Sequence, residues 1–177
     1  MMIRLELTRK YGNPQFMIGE LQESSTGFRC VTMERVDPKY WRGMKNFCAI
    51  PDGWYRLKIA FDDDLQIRLK LMKTTGVYRN ATIGGEAMPF NMPAGSIAVG
   101  SSFDAETNSL LDSDMVCRGL DLWVRNLFAA GRIKGYTGAS YQIYMEVKKS
   151  EFYTFERKSQ KKESEVCDEG ISFDFTK

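Results

Sequence analysis

From Ile3 to Thr8 apolar and polar side chains alternate, with Ile3, Leu5 and Leu7 set against Arg4, Glu6 and Thr8. A period of two places each set on its own side of a strand. Gly12, Asn13 and Pro14 end this strand in a turn. Phe16 to Leu21 and Phe28 to Met33 repeat the pattern, joined by the turn Ser24-Ser25-Thr26-Gly27. Three short strands in sequence predict an antiparallel meander with one buried face. The loop from Val36 to Asn46 carries Pro38, Tyr40, Trp41 and Gly43, and its aromatic content predicts that it packs down. Ile50-Pro51-Asp52-Gly53 reads as a turn, with proline fixing φ and glycine supplying the left-handed position. Trp54 to Phe61 and Leu65 to Leu71 alternate again, and Tyr78 to Ile83 predicts a further strand. Gly84 to Gly95 is irregular, Ser96 to Gly100 returns to strand, and Ser101 to Asn108 reads as a polar linker.

The period changes once. Between about Asp114 and Ala130, Val116, Leu120, Trp123 and Leu127 recur at three- and four-residue spacing, widened by Val124 and Phe128. This predicts one long amphipathic helix, with Asp112 or Ser113 as its cap and Gly131 as its end. Arg118, Asp121 and Arg125 fall on the opposite face, and Asp121 and Arg125 are spaced to pair. Gly119, inside the helix, costs roughly 1 kcal/mol against alanine and predicts a close approach to a strand. Tyr141 to Val147 is a last alternating strand. The expected fold is α+β: a mostly antiparallel, barrel-like sheet with one long helix. Residues 1–150 form the globular domain and 151–177 a charged tail. Nine of the fourteen residues from Glu156 to Glu169 are charged. Ile171, Phe173 and Phe175 stand beyond them at period two, as an edge strand returning to the sheet or as a β-augmenting anchor for a partner.

Composition narrows the chemistry. A length of 177 residues with 43% hydrophobic and 27% charged residues suits one globular domain that needs no staple. The net charge of +2 argues against a nucleic-acid footprint. Lys70, Lys73 and Arg79 are loosely grouped around the single ring of Tyr78, which is no stacking surface for single strands. No stretch is long and apolar enough for a membrane span, and no signal-peptide pattern opens the chain, so cytoplasmic synthesis is expected. Cys30, Cys48, Cys117 and Cys167 form no CxxC pair, and the expectation is reduced, mostly buried thiols with neither zinc nor a disulfide framework. Asp62-Asp63-Asp64 reads as a solvated turn rather than a calcium site. No metal or other cofactor is expected. Histidine is absent, which removes the commonest general base and metal ligand.

Several segments, in order, resemble a small uncharacterised domain family of bacteria and their phages. They are LTRKYGNPQFMIGEL, FRCVTMER, FCAIPDGWYRLKI, ATIGG, AGSIAVG and LLDSDMVCRGLDLWVRNL. The likeness runs from about Ile3 to Lys148. Its more specific part is the Ile-Pro-x-Gly-x-Tyr turn, Ile50 to Tyr55, followed by Ala94 to Gly100. In that family a strand ends in histidine, a Gly-Asn loop follows, and Gly-Cys opens the next strand. The arrangement resembles that of the L,D-transpeptidases of bacterial cell walls, in which an imidazole-activated thiolate attacks a peptide carbonyl.

This chain departs at both reactive places. Gly84 or Gly85 stands where the histidine is expected, and Ser96 stands at the cysteine. Glu86-Ala87 replaces the Gly-Asn, while Gly95 is kept. Ser96 is the one candidate nucleophile, with Glu86 and Lys73 as the nearest candidate bases in sequence, in no recognisable arrangement. The leading expectation is therefore a non-catalytic structural or interaction protein, phage-associated and carried in the virion, with protein partners or self-association. Two alternatives stand beside it. One is a module that holds a peptide or cell-wall fragment around Gly84, Gly85, Gly95 and Ser96, and the other a serine-based acyl hydrolase or transpeptidase.

Overall fold

The computed structural model describes residues 2–37, 39, 48–72, 78–85, 87–134 and 143–156. Among these residues ten strands and one α-helix follow in order: β1 (Ile3–Gly12), β2 (Phe16–Glu23), β3 (Phe28–Arg35), β4 (Gly53–Phe61), β5 (Ile67–Leu71), β6 (Thr82–Ile83), β7 (Ala98–Gly100), β8 (Ser102–Asp104), β9 (Ser109–Leu111), α1 (Ser113–Ala129) and β10 (Ile143–Phe155). The fold is α+β, with an antiparallel-dominated sheet that nearly closes into a barrel. Among the described residues most of the expected elements stand within a few positions of their predicted bounds. The expected strand over Tyr78 to Ile83 shrinks to Thr82–Ile83. Of the predicted loop from Val36 to Asn46, residues 38 and 40–46 lie outside the described residues, as do the terminal Ile171, Phe173 and Phe175.

Eight strands make the main sheet, in the order β6-β5-β4-β10-β1-β2-β3-β7. β1, β2 and β3 form the expected meander. β10 enters between β4 and β1 and runs parallel to β1, pairing Ile3 with Ile143 and Leu7 with Val147. It continues past its predicted end at Val147 as far as Phe155, matching Tyr11 to Thr154 and Gly12 to Phe155. The two ends of the sheet meet at a seam. Ile83 bridges Ile97 in parallel. The Ile97 amide donates to the Thr82 carbonyl at 2.8 Å, and the Gly84 amide donates to the Ile97 carbonyl at 3.0 Å.

The inward residues of the strands and the apolar stripe of α1 share one core. Leu5, Leu7, Leu57, Leu69, Ile83, Ile97 and Met145 meet Cys117, Leu120, Trp123, Val124 and Leu127 there. Burial of this apolar area, at roughly 25 cal/mol per Å², is the main term holding helix to sheet. A second, smaller core of Phe16, Met33, Met92, Ala98 and Leu110 includes Phe103 at its margin. This explains why the predicted polar linker after Gly100 is instead the hairpin β8-β9. Phe103 packs on Phe16 with ring centroids 5.4 Å apart, while Asp104 ties the turn by accepting from the Glu106 amide at 2.9 Å and the Thr107 hydroxyl at 2.6 Å.

The helix ends differ from expectation in one respect. Gly131 closes the C-terminus with φ +65°, its amide reaching the Phe128 carbonyl at 2.9 Å. At the N-terminus no side chain caps: Asp112 sits at φ 52° without a capping hydrogen bond. Its carboxylate takes the Ser101 hydroxyl at 2.6 Å instead, and Ser113 is recruited elsewhere.

Candidate functional site

The residues singled out in sequence converge on the barrel seam. Gly84 has φ +96° and Gly85 φ +116°, backbone conformations that side chains rarely adopt. A side chain at either place would need the backbone to turn. At Gly84 the constraint is φ and not space: a Cβ there would stand in ordinary van der Waals contact, 3.4 Å from Arg68 Cδ and 3.5 Å from Leu120 Cδ2. Gly95 is required on two counts. Its φ is +76°, and a Cβ would meet Tyr78 Cδ1 at 2.6 Å and Ile50 Cγ2 at 2.7 Å.

Ser96 is 1% exposed. Its Oγ accepts the Thr82 amide at 3.0 Å, and that is its one side-chain hydrogen bond among the described residues. Its own amide donates to the Pro93 carbonyl at 3.0 Å. A serine becomes nucleophilic when a base takes its proton, and no carboxylate, amine or thiol among the described residues is bonded to this one. Glu86 and Lys73 lie outside the described residues.

Two residues of α1 complete the cluster. The Ser113 hydroxyl, read as a cap, lies 2.9 Å from the Gly85 carbonyl and 2.7 Å from the Val99 carbonyl, and donates to them. Cys117 faces the core as expected, and its Sγ accepts the Gly85 amide at 3.1 Å. Together they sew the first turn of the helix to the seam. The signal for Ser113 lay in the sequence as a polar residue at the head of an apolar stripe, a pattern that a cap shares. Cys117 also neighbours Cys30, whose thiol is pushed up to about 12, by burial first and then by Cys117. Beside the seam lies a polar cleft of about 500 Å³ bordered by Arg68, Gly85, Leu110, Asp112, Ser113 and Asp114. Arg68 pairs through Nη2 with Asp62 at 3.0 Å, while its buried Nη1 has no hydrogen-bond partner among the described residues. Asp62 is thereby engaged in the turn it begins, also accepting the Gln66 amide at 2.8 Å.

The other side of the 84–95 segment borders an apolar cleft of about 330 Å³. Met88 and Phe90 form one wall, with Phe16, Val36 and the hairpin tip at Thr107 and Asn108 around them. Arg35 holds this segment in place, donating to the carbonyls of Pro89 at 3.2 Å, Phe90 at 3.0 Å and Met92 at 2.6 Å. A guanidinium that spans three carbonyls fixes a loop that has no regular ladder. None of these features was visible in the periodicity.

Further along β1, sequence reasoning missed a buried charge cluster. Arg9 is 1% exposed and Glu34 also 1%. They pair through two hydrogen bonds, at 2.8 and 2.7 Å. Arg9 also reaches Asp52 and, at 2.7 Å, the Ile50 carbonyl. Burial works against the guanidinium's charge, but Glu34 and Asp52 outweigh it and raise its pKa. Among the described residues no helix is long and apolar enough to cross a membrane, and no three His, Cys, Asp or Glu residues group as metal ligands. Comparison with protein-family models, with curated proteins and with solved structures returned no match.

Proposed function

We propose that this chain is a non-catalytic interaction protein, phage-associated and carried in the virion, on a scaffold like that of a cell-wall enzyme. One observation carries the reading: the Ser96 hydroxyl is buried and spent on the Thr82 amide, across the seam that closes the barrel. A group used as an acceptor inside a sheet closure is part of the frame. The two positive-φ glycines support the same reading, because they fill the place of the resembled histidine with backbone that suits no imidazole-bearing residue. A fluorophosphonate probe is expected to leave the full chain unlabelled. Labelling that disappears in Ser96→Ala would return the chain to the acyl-transfer enzymes. The virion setting rests on the family resemblance and is tested separately, by mass spectrometry of purified particles. Absence from particles, with abundance in infected lysate, would remove it.

A second reading has its own observation. The pinned wall of Met88 and Phe90 makes a preformed apolar cleft, the form that ligand sites usually take. On this reading the segment holds a peptide or a peptidoglycan fragment without cleaving it. Calorimetric titration with stem peptides and muropeptides should then give heat that Phe90→Ala abolishes, and no heat with any fragment would count against it.

A further inference from the structure

We propose that the outer face of the sheet across β5, β4 and β10 binds single-stranded nucleic acid, with Arg56, Lys58 and Lys70 on phosphates and Trp54 against a base. This goes beyond the reading of Ser96, since it concerns another surface and names a partner.

The register of the strands builds this face. Tyr55, Leu57 and Ile59 of β4 turn into the core, so Trp54, Arg56 and Lys58, which alternate with them, turn outward. Leu69 and Leu71 of β5 likewise point inward and leave Lys70 outside. Antiparallel pairing sets Lys58 directly opposite Lys70 and Arg56 opposite Tyr144 of β10. Residues scattered along the chain thereby share one surface.

Like charges directly opposite on a sheet destabilise it, their Cβ atoms standing only about 5 Å apart. No carboxylate among the described residues relieves this pair. Lys58 has no ion pair or hydrogen bond among them. Lys70 Nζ donates to the neutral amide oxygen of Asn80 at 3.0 Å, and Arg56 lies over the Tyr144 ring, 5.5 Å from its centroid. The acids of the neighbouring strands are already balanced, Glu146 by Arg4 and Glu6 by Lys148 at 3.1 Å. At the β4-β5 turn Asp62 takes Arg68 at 3.0 Å. Asp63 and Asp64 stand beyond the last pair of the ladder, Phe61 with Ile67. Three cations on one face are left without a counter-charge among the described residues.

Charge complementarity asks for a polyanion, and Trp54 selects which. Its indole is 55% exposed beside these cations, with the Arg4 guanidinium 4.9 Å from the ring centroid. Rings and cations alternate here as they do on surfaces that take single strands, where a base stacks and the backbone meets positive charge. A polyanion without rings would gain nothing from an indole, and a duplex keeps its base faces stacked within itself. The chain's charge of +2 is a sum, and it does not report how the fold distributes its parts.

Fluorescence anisotropy tests this with the full chain and a labelled oligothymidylate of about twelve nucleotides, within the span that one such surface covers. Binding should saturate, and log K should fall with log salt at a slope of about −2, as three phosphate contacts require. Lys58→Glu with Lys70→Glu should weaken binding at least about tenfold and flatten that slope. Trp54→Ala should weaken it at least about fivefold and leave the slope unchanged. Lys58→Gln with Lys70→Gln adds no new charge and should also weaken binding, while relief of the repulsion raises the thermal midpoint. Arg118→Glu, on the exposed side of α1, makes the same change of charge elsewhere and should leave the affinity unchanged. No binding at low salt would overturn the proposal, as would an Arg118→Glu loss equal to that of the lysine pair. So would indifference to Trp54→Ala, or inorganic polyphosphate competing as well per phosphate as the oligonucleotide, since either marks a ring-free polyanion. None of these results bears on Ser96, whose probe experiment is read separately.

Discussion

Arg9 follows Ile3, Leu5 and Leu7 at the next inward position of β1, where alternation alone would place another apolar side chain. A guanidinium is tolerated there because Glu34 takes two of its donors and Asp52 and Ile50 take others. Removing one partner leaves the other charged and buried, so Arg9→Met should cost about 3–5 kcal/mol by urea unfolding. Pairing it with Glu34→Leu should recover part of the loss, because both charges then leave together. Gly95 is constrained by both φ and space, and Gly95→Ala should lower stability by about 1–3 kcal/mol. Cys30, with its pKa pushed up to about 12, should resist alkylation at neutral pH in the folded chain and react once urea exposes it, as read by peptide mass spectrometry. The resembled motifs contain Arg9 and Glu34, yet nothing in their spacing told that the two would meet. Their partnership spans 25 positions and depends on the register of β1, β2 and β3.

At the scale of elements, α1 was the most legible part of the chain. Its stripe, its glycine stop and its Asp121-Arg125 pair all stand as the 3.6-residue period predicts, the pair at 2.7 Å. Tertiary structure added the second role of Asp121, which also accepts the Ile67 amide at 2.9 Å and so ties α1 to β5. Arg125 holds the Asp121 carboxyl below the ordinary aspartate range; burial opposes this and the Ile67 amide adds to it. A folded-state pKa below the unfolded one contributes stability that is complete above the unfolded value and is lost as pH falls through the folded one. Asp121→Asn should therefore flatten the fall in stability below about pH 4, measured as urea midpoints across a pH series. Gly119→Ala should raise the thermal midpoint by a stability gain of about 0.5–1 kcal/mol, since among the described residues nothing lies within 4 Å of where its Cβ would stand. The hairpin β8-β9 escaped the sequence reading because three-residue strands carry too little alternation to register as a period.

For the molecule as a whole, the seam between β6 and β7 decides what the candidate residues are. Ser96→Ala would take this acceptor from the part-buried Thr82 amide, a loss of about 1 kcal/mol. Hydrogen exchange at Thr82 should quicken with it. From the order of residues alone came the strand-rich class, the helix and its stop, and the absence of histidine, because each is a local or compositional property. Periodicity reports which face of a residue's own element is buried. It does not report which distant element does the burying. The parallel entry of β10 beside β1, the meeting of Arg9 with Glu34 and the closure that turns Ser96 into an acceptor all join residues far apart in the chain. Those were decided by tertiary structure, since the free energy of a long-range pairing depends on the whole set of pairings that it completes.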